Sequence, residues 1–335
     1  MNATTQRESP SAPGEATAPS PPGMTHTLRS AVRGWERFWF EPQQTSTLAV
    51  VRILFGLAMI GWTVTLIPDA DAFFSPTGVL PAQPQYTVSG IWSLLGSSPG
   101  STTVMALLLA TLLASICLTV GLATRLAAVV VWLGLMAFTR RDPSVVNSGD
   151  IYLRVLAFFL ILAPSGAALS VDRLRRGRRD FWQFPARSPW ALRLIQVQIS
   201  ILYLSALWDK LRSGSLWNGG TALSYIERIG DVRRFPLPLF NTDSVPISLM
   251  TYGSLAVELG LGVLVWNRRA RPWVLALGIG LHLSIDYSIR VGFFSAAAIA
   301  GILAFLPPEW AGARLLGIRN RLGPRRPSPA ANPNR

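Results

Sequence analysis

The chain has 335 residues, of which 50% are hydrophobic and only 14% charged, with a formal net charge of +14. A soluble domain carries about 25% charged residues, so the composition argues against a water-soluble enzyme and for a protein that partitions into a lipid bilayer. Nucleic-acid binding is a poor account of the charge, because the basic clusters lie between apolar runs, where they orient membrane helices.

Residues 1–28 are rich in Pro, Ser, Ala and Thr and lack the apolar core of a signal peptide, which predicts a disordered cytoplasmic tail. A membrane helix needs about 20 predominantly apolar residues. Candidate spans follow at 46–67, 103–120, 123–139, 151–169, 190–208, 247–266, 272–288 and 291–306. The second and third are joined by a tight turn near Gly121, and the seventh and eighth are divided only by Ile289 and Arg290. Runs this long exclude a β-barrel, whose strands alternate over about ten residues. The predicted fold is all-α: a polytopic transmembrane helical bundle of about eight spans over 29–318, followed by a basic disordered tail at 319–335. The single cysteine, Cys117, falls inside an apolar span and reads as a buried structural thiol.

Positive charge orients the bundle. With Arg29, Arg33 and Arg37 in the cytoplasm, every even-numbered exit is also cytoplasmic, and these exits carry Arg125, the Arg173–Arg187 cluster, Arg268, Arg269 and Arg271, then Arg314, Arg319 and Arg321. The first outer loop, from Pro68 to about Ser101, has no Lys or Arg, so both termini are expected to be cytoplasmic. Three outer places keep basic residues: Arg140–Arg141, Arg290 and the long loop after Trp208. That loop holds Trp217, Tyr225, Phe235, Leu237, Leu239 and Phe240, too apolar for disorder. It is expected to fold back as a lid over the helix ends, with a short helix near 219–229.

Thirty of the basic residues are arginine and one, Lys210, is lysine. Lysine differs from arginine in that desolvation can make it a base or nucleophile, which singles out Lys210; snorkelling and pairing with neighbouring Asp209 is the structural alternative. Gln196, Ser200, Tyr203, Leu207 and Lys210 share one helical face, which must look into protein or a cavity, with interhelical hydrogen bonding as the plainer account of Gln196 and Ser200. His282, the one histidine outside the tail, is four residues from Asp286, so the two side chains are expected to meet, either to shuttle protons or as a structural bond. One His and one Asp are too few ligands for a metal site. Arg154 and Glu258 lie at membrane depth and are functional candidates for that reason, with ion pairing as the alternative and an arginine as one plausible partner for Glu258; Arg52 is placed to snorkel to the inner surface. No phosphate-binding loop, GxSxG or HExxH motif is present.

Four segments in order carry a family resemblance: LAVVRILFGLAMIGW in span one, IYLRVLAFFLILAP with the following SVD, IQVQISILYLSALWDKLRSGSLWNGGTALSYI, and GLHLSIDYSIRVGFFSAAAIAGILAFLPPEW. Together they resemble the HTTM (horizontally transferred transmembrane) domain, the membrane part of vitamin K-dependent gamma-carboxylases, from about Thr45 to Trp310. The resemblance implies that Lys210 matches the lysine proposed to deprotonate vitamin K hydroquinone, that His282 matches a histidine near the quinone, and that the site faces outward. It suggests a quinone as the cofactor or substrate. Asp150 stands where the carboxylases have a histidine, and their large lumenal domain has no counterpart after Trp310, so glutamate carboxylation is not expected. Compact bacterial HTTM proteins resemble instead a membrane factor that matures a secreted toxin.

The expected site is an outward pocket of Asp150, Arg154, Tyr203, Asp209, Lys210, Trp217, His282 and Asp286 under the 209–245 loop. As an enzyme it would act on a lipophilic or peptide substrate, with Lys210, His282 and Asp286 as the catalytic group. In that reading Lys210→Ala abolishes activity and leaves folding intact. The alternatives are a non-catalytic accessory factor for a secreted peptide and, third, a transporter that would use Glu258. The expected partners are the lipid bilayer and a lipophilic small molecule or secreted peptide, with no nucleic acid.

Overall fold

The computed structural model describes residues 24–79, 94–96, 99–142, 146–236 and 245–322. Residues 1–23 and 323–335 of the two tails, most of the first outer loop, and Leu237, Leu239 and Phe240 of the long loop lie outside the described residues, whereas 24–28 and 319–322, expected in the disordered tails, are helical. The helices are α1 (Met24–Phe40), α2 (Ser46–Leu66), α3 (Ala70–Phe74), α4 (Ser101–Val120), α5 (Thr124–Arg141), α6 (Ser148–Leu162), α7 (Val171–Leu174), α8 (Trp190–Ser213), α9 (Ser215–Asn218), α10 (Ala222–Arg228), α11 (Val245–Gly262), α12 (Arg271–Ser288), α13 (Phe294–Ile302) and α14 (Pro308–Leu322). Among the described residues the sheet content is one two-residue pairing, β1 (Gln43–Gln44) antiparallel to β2 (Ala186–Arg187).

Four helices, α2, α4, α8 and α11, are long and apolar enough to cross a bilayer, and a fifth crossing results if α13 and α14, bent by 109°, count as one. The remaining expected spans are less regular. α6 has 15 residues and α13 has 9 before a short 3-10 turn, and α5 carries Arg125, Arg140 and Arg141. The break between α12 and α13 falls at 289–293, close to where the sequence placed it.

Helix α2 is the hub, packed against α4, α6 and α13, with Val51, Phe55 and Met59 wholly buried. Its approach to α4 is close. A Cβ on Gly56 would lie 2.2 Å from the Thr119 hydroxyl oxygen, so glycine sets the helix spacing where no hydrophobic force operates between helices. The opposite stripe of α4 (Leu109, Leu113, Ile116, Val120) is exposed and wholly apolar, the surface a bilayer would cover.

One end of the bundle is stitched by polar contacts. Arg52 is wholly buried and donates to the carbonyls of Ser165 (2.7 Å), Ala168 (3.0 Å) and Leu169 (2.5 Å). It does not snorkel to the inner surface as expected. The chain between α6 and α7 turns back at this depth, and its free carbonyls need a donor more than the guanidinium needs water. The neighbouring Ser170-Val171-Asp172 triplet holds the same end: Ser170 caps α7, and Asp172 accepts from the amides of Ala123 (3.0 Å) and Thr124 (3.1 Å) and from the Thr124 hydroxyl (3.0 Å).

Partial burial works against the Asp172 charge, but the Thr124 and Ala123 amides and the Thr124 hydroxyl outweigh it and hold this carboxyl below the usual carboxylate range. A depressed folded-state value contributes stability above the unfolded pKa that is lost as pH falls through the folded one. The wild type is therefore expected to lose this contribution below about pH 4. Asp172→Asn should be less stable at neutral pH and show a flatter acid limb in a melting-temperature series from pH 3 to 7. An unchanged limb would show that the cap does not report on stability.

Candidate functional site

The opposite end collects the residues the sequence singled out, in two groups. The first lies between α8, α11 and α12. Lys210, near the end of α8, pairs with Glu258 of α11. Its ammonium also sits 4.6 Å from the ring centre of Trp217 on α9. Asp209 is exposed and takes no part, so the alternative pairing of Lys210 with its neighbour is corrected: adjacent helical residues diverge by about 100°, and Asp209 points away. The suggested arginine partner for Glu258 is likewise replaced by Lys210. About two turns deeper on α8, the Tyr203 hydroxyl bonds His282 Nε2 of α12 at 2.5 Å, with both residues buried.

The remainder of the polar face of α8 is adhesive. Gln196 donates to the Ala304 carbonyl (2.7 Å), and Ser200 accepts from the Trp266 indole (2.8 Å).

The second group lines an open cavity of about 630 Å³ that includes Trp62, Asn147, Asp150, Arg234, Asp286 and Ser295. Asp150 is buried and fully engaged: one oxygen accepts from the Trp62 indole (2.8 Å), the other from the Asn147 amide (2.9 Å), completing a capping box at the start of α6. Asp286 pairs with Arg234 at 3.3 Å. The expected meeting of His282 and Asp286 does not occur. His282 turns inward to Tyr203 and Phe294, whereas Asp286, one turn on, faces the cavity and the loop. Arg154 is half-buried, one turn past Asp150, and does not line the cavity.

The loop after Trp208 does fold back. α10 (222–228) lies within the short helix expected near 219–229 and packs on α11. The stretch 232–234 is tied to the end of α12 by Arg234 N–H to Ser288 (2.7 Å) and Arg290 N–H to Val232 (2.7 Å). Phe235 stacks near Tyr287. This tie brings Arg234 to Asp286. No local pattern marks Arg234 in sequence, because its role depends on a pairing between distant segments; Asn147 was readable as a cap, and Trp62 and Ser295 carried no signal.

Several buried polar atoms are left over here. Glu258 Oε2, His282 Nδ1, Ser295 Oγ and Tyr152 OH have no hydrogen-bond partner. Among the described residues no cluster of three or more metal-ligating side chains is present.

Apolar helices of spanning length, a lipid-facing stripe and the Lys210–Glu258 pair between helices define a multi-pass helical membrane protein. The HTTM domain family profile matches residues 40–310, and the chain belongs to that family. No curated protein and no solved structure matches it.

Proposed function

We propose that this HTTM protein is a membrane enzyme that removes a proton from a lipophilic, quinol-like substrate at the Lys210 end of the bundle. The observation that carries this reading is the set of unpartnered buried polar atoms, Glu258 Oε2, His282 Nδ1 and Ser295 Oγ, on three helices at this end of the bundle, of which Ser295 lines the open cavity. A purely structural network would satisfy its members, because each orphaned buried group costs about 1–3 kcal/mol. A ligand bearing hydroxyl or carbonyl oxygens would supply the missing partners. In the proposed step the substrate O–H bond breaks and its electron pair stays on oxygen. The proton passes to the Lys210 amine in the tautomer of the pair in which Glu258 holds the shared proton, so the pair goes from neutral to singly positive and stabilises the oxyanion. His282, positioned by Tyr203, orients the substrate. The likeness to vitamin K-dependent gamma-carboxylases supports the substrate class. The alternation of arginine-rich and arginine-poor loops supports eight crossings, cytoplasmic termini and an outward-facing site, and the resemblance to compact bacterial HTTM proteins supports the cell membrane of a bacterium.

The test is native mass spectrometry of the protein purified from membranes, together with menaquinol turnover. A quinol anion is oxidised by dioxygen to quinone and hydrogen peroxide faster than the neutral quinol, so quinone absorbance reports proton removal. Wild type should retain a quinone-sized ligand and accelerate the reaction. His282→Ala should lose most of the ligand, and Lys210→Arg should keep it and lose roughly a hundredfold in rate, the lower range for a lost general base. Equal rates in Lys210→Arg and wild type would overturn the acid–base role, since arginine stays protonated.

A second reading, an accessory factor that holds a secreted peptide, is favoured by one observation. Trp208, Tyr225 and Phe235 stand 61%, 55% and 51% exposed around the same end. In that case alanine at these aromatics would abolish the cellular effect and Lys210→Arg would not.

A further inference from the structure

The end of the bundle opposite Lys210 gathers Arg193, Arg268 and Arg271, and none of the three forms an ion pair among the described residues. Helix α1 is held there through its last turn. Arg193 Nε donates to the Phe38 carbonyl (3.1 Å), its guanidinium lies 4.7 Å from the Phe38 ring centre, and Phe38 packs on Trp266 at 5.8 Å. The preceding residues 29–37 are exposed, Val32 and Trp35 by 55% and 64%. Spaced every four residues, Arg29, Arg33 and Arg37 make one stripe, and Val32, Trp35 and Trp39 make the opposite one. A basic face backed by a tryptophan-bearing apolar face is the composition of a helix that lies in a membrane interface.

An independent feature adjoins this anchor. Arg193 and Arg271 are half-buried and within electrostatic reach of each other, as are Arg271 and Arg268. Arg271 donates from Nε to the Val265 carbonyl (2.9 Å) and from Nη2 to that of Trp266 (3.3 Å). Arg193 Nη2 and Arg271 Nη1 meet no protein acceptor, and the nearest acidic residues on the adjoining segment, Glu36 and Glu41, are exposed and unpaired. Like charges held together without a counter-charge repel, and an anion with several acceptor oxygens relieves both deficits.

We infer that α1 and the Arg193–Arg268–Arg271 cluster form a site for the phosphate headgroup of an anionic phospholipid. The apolar face of α1 would sink to the level of the acyl chains, with its arginines in the headgroup layer. This site is separate from the acid–base chemistry proposed above.

The full-length protein in nanodiscs of phosphatidylcholine, with and without phosphatidylglycerol, tests it. Native mass spectrometry after release should find phosphatidylglycerol retained over phosphatidylcholine. Arg271→Gln, and a triple replacement of Arg29, Arg33 and Arg37 by Gln, should each reduce that preference by roughly tenfold. The triple replacement changes exposed side chains without ion pairs, so it separates lipid binding from folding. In a Cys117→Ser background, a spin label at Trp35→Cys should be shielded from a water-soluble relaxation agent, and one at Arg33→Cys should not. Equal retention of the two lipids, or equal accessibility at 33 and 35, would overturn the site. So would loss of lipid preference in millimolar phosphate, which marks a soluble-anion site, or shielding that rises with protein concentration, which marks a second copy.

Discussion

Replacing Arg52 by alanine is expected to remove about 3–5 kcal/mol of stability, enough to deplete the folded protein in membranes. The estimate follows from geometry. Three carbonyls between Ser165 and Leu169 take their hydrogen bonds from one wholly buried guanidinium. Leu169 is held there at φ 47°, a left-handed conformation that costs a leucine about 1–2 kcal/mol and persists only under constraint. Without Arg52 the carbonyls lose their donor and the strain loses its restraint. Arg52→Lys should fall between, because an ammonium on a flexible stem cannot reproduce a planar fork aimed at several acceptors. Thermal unfolding followed by size-exclusion chromatography in detergent measures the difference. An Arg52→Ala protein that melts with the wild type would show that this clamp does not hold the end together.

Arg52 also marks how far the sequence could be read. Its depth in a span was plain, but snorkelling to the surface was the simplest expectation for a basic residue near a helix end. Only the fold reveals that the chain after α6 turns back beneath it and offers three carbonyls. The all-helical architecture was legible because apolar runs of spanning length have no other stable form in a bilayer. The short helices α6 and α13 were less so, since hydropathy continues through their breaks at Ala163 and Leu303 while the backbone does not. At the site, Lys210, Tyr203 and His282 were found from type and spacing, and Trp217 proved to cover Lys210. Their partners were not. The i, i+4 spacing of His282 and Asp286 suggested a local pair, yet each makes its bond across the bundle, to Tyr203 and to Arg234. Pairing across helices is a property of packing, and one sequence does not carry it.

The Lys210–Glu258 pair carries the second large effect, and it revises the expectation that Lys210→Ala leaves folding untouched. Glu258 is buried between α8 and α11, with its side chain 8% exposed, and Lys210 supplies its one hydrogen bond. Removing the lysine strands a carboxylate in a low-dielectric interior. A fully buried partner would cost about 3–5 kcal/mol; the lysine side chain is 25% exposed, so roughly 2–4 kcal/mol is expected. Lys210→Arg should keep most of the stability, because charge and cation–π contact with Trp217 survive. A double replacement, Lys210→Met with Glu258→Leu, should recover the stability that removing Lys210 alone loses and match the wild type, since apolar residues of similar volume often match a buried ion pair. Stability and function then separate. If the pair is retained for chemistry, the double variant folds as well as wild type and neither holds nor turns over menaquinol. If the pair is only packing, the double variant keeps ligand and rate, and the proposed proton acceptor is lost with it. A double-mutant cycle on thermal midpoint and turnover together distinguishes the two, because a structural pair moves both readouts in the same direction and a catalytic pair does not.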